Sequence, residues 1–90
     1  MPTLTARRTI TSMWLILFAV QSRELTEEEK NELNRLCELL QQGIPNRDIY
    51  NAVARQFCDS LRSSGVFEGA KDVKVEALLE KLDAMKLLVG

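Results

Sequence analysis

Histidine is absent from this 90-residue chain, and with it go the commonest general base, the triad imidazole and the usual transition-metal ligand. Cysteine occurs twice, as Cys37 and Cys58, too few for a disulfide scaffold and, without histidine, too few for a structural zinc site. Four glycines and two prolines leave little turn chemistry for a many-stranded sheet. Gly43, Gly65, Gly69 and Gly90 also stand apart from one another, so no loop cradles a phosphate. Twelve Lys and Arg against thirteen Asp and Glu give a formal charge of −1, which offers no global field to attract nucleic acid or anionic lipid. The apolar run Met13 to Val20 falls far short of the roughly 20 residues that a membrane span needs.

What is present is a 46% hydrophobic, 28% charged chain, too apolar for a disordered tail. A chain this short buries only about two-thirds of its unfolded surface, so residues 1–90 are expected to form one all-α domain, a small bundle of four helices. Helix one is expected over about Leu4 to Gln21. Thr26 followed by Glu29 predicts a capping box at the start of helix two, whose stripe Leu33, Leu36, Cys37 and Leu40 stops at a left-handed Gly43. Asn46 is expected to cap helix three, with Ile49, Val53, Phe57 and Leu61 as its apolar stripe. Val66 and Phe67 should tuck under the bundle. Asp72 should cap helix four, which carries Val75, Leu78, Leu79, Leu82, Met85, Leu88 and Val89 close to a heptad seam. Cys37 and Cys58 read as small buried hydrophobes.

Residues 1–22 leave the compartment open. Arg7 and Arg8 ahead of the apolar run have the charge and length of a signal-peptide start, which would make the protein secreted and permit a Cys37–Cys58 bridge. The other reading, a buried core helix in a cytoplasmic protein, is the one adopted. The centre of helix one is apolar on all sides, more than one core contact consumes. It therefore marks Trp14, Leu15, Leu17 and Phe18 as candidate contacts in a homo-oligomer, most simply a homodimer. Leu78, Leu82, Met85 and Val89 on helix four are candidate docking residues for a protein partner, through i, i+3, i+4 and i+7 side chains, with core packing as the competing role.

No constellation points to catalysis. Glu27, Glu28, Glu29 and Glu32 fan outward from one helix and do not converge on a cation; they suit the positive end of the helix dipole. Ser, Thr and Cys lack an imidazole to activate them. No cofactor or metal site is expected.

Gly43-Ile44-Pro45-Asn46-Arg47-Asp48-Ile49 resembles the opening of helix-turn-helix domains of the resolvase and sigma-factor type. Tyr50 stands where that pattern has a small Ala, and Asn51 to Leu61 runs on without the turn and second capped helix that would enter a major groove. Arg47, Arg55 and Arg62 are offset by Asp48 and Asp59, so a small DNA-binding regulator is the alternative function and not the first. From about Phe18 to Leu61, the pattern of Leu25 with acids, Leu36, Leu39-Leu40, Gly43, Ile44-Pro45-Asn46-Arg47, Ile49, Val53 and Phe57 resembles the AriR/YmgB family of small helical bacterial connector proteins. That resemblance implies a dimeric all-helical protein that modulates a two-component response regulator. Arg35-Leu36-Cys37-Glu38 and Gln42-Gly43-Ile44 also resemble, at a different spacing, the MOZART spindle-organising family. The expected function is a non-enzymatic adaptor or connector that binds a protein partner, with no nucleic-acid or membrane partner.

Overall fold

A computed structural model describes residues 5–70 and 72–89. Four α-helices follow one another, α1 (Ala6–Val20), α2 (Glu27–Gln41), α3 (Asp48–Ser63) and α4 (Val75–Val89), with one 3-10 turn, Val66–Glu68, ahead of the last. There is no strand among the described residues. The helices close a ring in which α1 packs on α2 and α4, and α3 packs on the same two. The radius of gyration is 12.5 Å, against about 12 Å expected for a packed chain of this length.

Local chemistry sets most boundaries. The Thr5 hydroxyl accepts from the Arg8 amide at 3.2 Å and caps α1. The expected start at Leu4 lies outside the described residues. Thr9 is buried on α1 without penalty because its hydroxyl donates to the Thr5 carbonyl at 3.1 Å. At α2, Thr26 and Glu29 form the expected capping box, and three acids occupy the first turn.

Gly43 (φ 83°) turns the chain after α2 in a conformation that L side chains avoid, and a Cβ there would also press on the Asn51 side chain. Asn51 fixes that turn from within α3. Its Oδ1 accepts from the Ile44 amide at 2.8 Å, and its Nδ2 donates to the Ile44 carbonyl at 2.9 Å. Asn46 does not cap α3 as expected. It takes a positive φ of 65° inside the turn, which leaves Arg47 at the N-cap without a side-chain bond. α4 likewise begins at Val75, three residues beyond the expected cap at Asp72.

One core cluster joins all four helices. Ile10, Met13 and Leu17 come from α1; Leu33, Leu36, Cys37 and Leu40 from α2; Tyr50, Ala54, Phe57, Cys58 and Leu61 from α3; Val75, Leu78, Leu79, Leu82 and Met85 from α4. Val66 is buried beneath them, with Phe67 packed at the edge. Removing residues 1–22 would take Ile10, Met13 and Leu17 out of this core. Both cysteines are free and fully buried; the Cys58 thiol donates to the Cys37 carbonyl at 3.7 Å across α2 and α3. The adjacent Cys37 thiol and burial hold Cys58 above the ordinary thiol range.

The stripe expected on α3 is corrected at its first position. Ile49 is 74% exposed, and Tyr50 is buried in its place. Successive i+4 steps advance about 400° round the helix, so Ile49 sits roughly 120° away from Leu61 after three of them. The set Tyr50, Ala54, Phe57, Cys58 and Leu61 mixes steps of three and four and stays on one face.

A candidate interaction surface on the first helix

The inner face of α1 is satisfied by the core, and its outer face is not. Arg8, Thr11, Leu15 and Phe18 alternate steps of three and four and are all exposed, so they form one seam along the solvent side of α1, which the exposed Ser22 continues in the turn just past the helix end. Leu15 is 61% and Phe18 52% exposed. Trp14 lies half-buried beside them and stacks on Phe18, with ring centroids 4.9 Å apart and planes within 11°. The stack holds two aromatic rings in fixed orientation at the surface, which lowers the entropy lost when another surface covers them.

Charge brackets this patch. On its amino-terminal side Arg7 and Arg8 are exposed and make no ion pair among the described residues; Lys86 of α4 lines the same hollow with them, and Asp83 is the one acid that shares the adjoining hollow with Thr11, Trp14 and Lys86, so this end carries a net positive charge. Past its carboxy-terminal end the chain carries Arg23, Glu24, Glu27, Glu28, Glu29 and Lys30, and Lys74 and Glu76 line one hollow with Arg23 and Glu24. Arg23 holds Glu29 through two bonds of 2.6 Å, and Lys30 reaches Glu27 at 3.3 Å. Glu24 and Glu28 have no cationic partner among the described residues. The Arg23 guanidinium, with the Thr26 amide, draws the Glu29 carboxyl down to about 2.

Of the residues expected at an oligomer interface, Leu15 and Phe18 therefore lie on the outer face of α1, with Trp14 half-buried at its edge and packed against the core. Leu17 does not. It is fully buried, because it lies four residues from Met13 on the inner stripe. Of the α4 residues named as docking candidates, Leu82 and Met85 are fully buried, Leu78 nearly so, and Val89 packs half-buried against the cluster, the positions that the competing core role requires. α4 packs Val75, Leu78, Leu79, Leu82 and Met85 into the core against α1 and α3, whereas Leu88, expected on the same stripe, is 41% exposed.

Sequence reasoning missed two other exposed groups. Leu87 is 84% exposed, and Leu88 shares a shallow hollow with Ile49 and Arg47. The signal was the unbroken Leu87-Leu88-Val89 triplet, since three consecutive helical residues cannot all face one core. The Arg47 guanidinium donates to the Leu88 carbonyl at 3.2 Å, and Arg62 to Gln41 Oε1 at 3.3 Å. Two of the three arginines considered as a phosphate track are thus bonded within the chain.

Beside that hollow, a cleft of about 620 Å³ runs between the start of α1 and the α2–α3 turn, lined by Leu39, Ile44, Arg35, Arg47 and Tyr50 among others. The Tyr50 hydroxyl is buried there without a hydrogen-bond partner among the described residues, and burial pushes its pKa up to about 12. Among the described residues no three His, Cys, Asp or Glu side chains converge as metal ligands would, and no helix is long and apolar enough to cross a membrane. Comparison with known proteins finds no matching family model, curated protein or solved structure.

Proposed function

We propose that this chain is a non-enzymatic protein-interaction module, a small adaptor or connector that binds protein through the outer face of α1 and acts as a homodimer in the cytoplasm. The observation that carries it is the exposure of Leu15 and Phe18 next to the stacked Trp14 on a helix whose inner stripe is already satisfied. Contiguous apolar surface of this kind on a small folded chain marks a contact surface, because leaving it wet is unfavourable and invites aggregation. The resemblance to the AriR/YmgB connectors favours the same class of function. A cytoplasmic site is supported by the commitment of α1 to the core, since Ile10, Met13 and Leu17 would be lost from it if residues 1–22 were removed as a leader.

The test is the double variant Leu15→Asp/Phe18→Asp, compared with wild type by light scattering, by circular dichroism and by capture of proteins on the immobilised chain. Loss of association with helicity and thermal midpoint retained supports the surface. Unchanged association excludes it. Tight, sequence-dependent DNA binding by the wild type at physiological salt would overturn the protein-binding function in favour of a nucleic-acid one, since a nearly neutral chain keeps little non-specific affinity there.

A further inference from the structure

We infer that the outer face of α1 pairs with the same face of a second copy in antiparallel orientation, about a two-fold axis passing close to Leu15. This rests on the proposal that the α1 face is the contact surface, and adds which partner covers it and in which direction.

Two independent features of the seam select that direction. The first is charge. Among the described residues, Arg7 and Arg8 lie unpaired at one end, and Glu24 and Glu28 unpaired at the other. A parallel pair would set arginine against arginine and glutamate against glutamate. An antiparallel pair sets each basic end against the acidic end of its partner, twice by symmetry. The second is side-chain size. Thr11 and Ser12 are small and polar on the amino-terminal side of Leu15, whereas Phe18 and its Trp14 neighbour are bulky. Antiparallel pairing about Leu15 lays Phe18 of each copy over Thr11 and Ser12 of the other, a knob over a shallow place.

The register follows from helix geometry. Arg8 precedes Leu15 by seven residues within α1 and so lies about 10.5 Å along the axis from it at about 1.5 Å per residue, and Ser22 follows Leu15 by seven, in the turn just past the helix end. In the antiparallel pair Arg8 of one copy stands opposite Ser22 of the other, next to Glu24. The two Arg8 positions are then about 21 Å apart along the axis, far beyond the roughly 4.4–6.8 Å between Cα atoms that a disulfide spans. In a parallel pair they would be neighbours.

Cysteine cross-linking of the full chain reads this directly, because Cys37 and Cys58 are fully buried and do not compete. Under mild oxidation, Leu15→Cys should bridge to itself, a mixture of Arg8→Cys and Ser22→Cys chains should give the mixed bridge, and Arg8→Cys alone should give none. Self-bridging of Arg8→Cys would overturn the antiparallel orientation while leaving the α1 face as a contact surface. A wild type that stays monomeric by light scattering at tens of micromolar would overturn the self-association itself; the capture arm of the preceding experiment then reports separately on whether the face binds another protein. Charge exchange provides a second readout that needs no cysteine. Arg7→Glu/Arg8→Glu and Glu24→Lys/Glu28→Lys should each weaken dimerisation by about tenfold, because either one sets like charges against each other at both ends of the dimer, and the fourfold variant carrying both exchanges should recover it. Failure of the combined exchange to recover what each separate one loses would also overturn the orientation.

Discussion

Leu82 and Leu87 lie on the same helix, five residues and so about 140° apart, and the structure gives them opposite fates: Leu82 is fully buried and Leu87 faces solvent. Truncating each to alanine therefore separates a core role for the α4 stripe from a docking role. Leu82→Ala removes buried methyl groups from the contact of α4 with the core, and such deletions cost about 2–5 kcal/mol. The total stability of a 90-residue domain is about 4–14 kcal/mol at roughly 0.05–0.15 kcal/mol per residue, so a large fraction is at stake. With each kcal/mol worth roughly 4–8 °C at this size, a mid-range loss of about 3 kcal/mol lowers Tm by about 12–24 °C. Leu87→Ala should stay within about 0.5 kcal/mol of wild type. Thermal and urea unfolding followed by circular dichroism at one protein concentration measure both. Since neither change touches the α1 seam, any stabilisation from self-association is common to the two variants and cancels in the comparison. Equal midpoints for the two variants, or a Leu82→Ala shift of only a degree or two, would refute the burial of this stripe.

Phe57, fully buried at the centre of α3, should cost about 3–5 kcal/mol on truncation to alanine, and an unchanged urea midpoint would place it outside the core. Tyr50→Phe removes a buried hydroxyl with no partner among the described residues and should raise stability by about 1 kcal/mol; a fall would mean the hydroxyl is bonded. Glu29 is more acidic in the folded chain than when unfolded, its pKa falling from 4.5 to about 2, so its ionisation contributes stability fully above the unfolded value and loses it as pH drops toward about 2. Glu29→Gln, which keeps an oxygen for the capping box but not the charge, should flatten the decline of the urea midpoint over that window, and parallel pH profiles for the two proteins would show that Arg23 contributes nothing through it.

What could be read from the chain was whatever depends on a few neighbouring residues. Thr26 and Glu29 are three apart, and the two bonds of their box form wherever a helix starts there; Gly43 ends α2 because almost any other residue would be strained at its φ. The four helices and most of the core followed from spacing in the same way. Phase across a long helix was harder, because a stripe written in i+4 steps drifts by about 40° a step, and this exchanged Ile49 for Tyr50. The cap of α3 failed for a different reason. Asn46 suits an N-cap and suits a left-handed turn equally, and the choice is made by Asn51, which binds the Ile44 backbone from seven residues away. On α1, the composition showed an apolar surplus without showing which side carried it. Only the positions of α2 and α4 assign Leu17 to the core and Leu15 and Phe18 to the surface.

That assignment also bears on how association ends. Among the described residues, large apolar side chains are exposed at the α1 seam, around the Ile49–Leu88 hollow and at Leu87 beside it in sequence, and a seam docking into the hollow of the next copy would be heterologous, leaving a free seam and a free hollow at the ends of every open assembly. Such contacts grow into rings or filaments. A seam that pairs with itself uses the same residues on both copies, so nothing complementary remains and growth stops at two. The charges decide between these outcomes. Around the hollow, Arg47 donates to the Leu88 carbonyl and Asp48 stands beside it, which leaves no strong field of one sign to receive the seam's basic or acidic end. The seam's own opposite end supplies the needed complement twice over. Light scattering should therefore reach a plateau at twice the 10.2 kDa chain mass as concentration rises; a mass that keeps climbing would show that the hollow, and not a second seam, is what α1 binds.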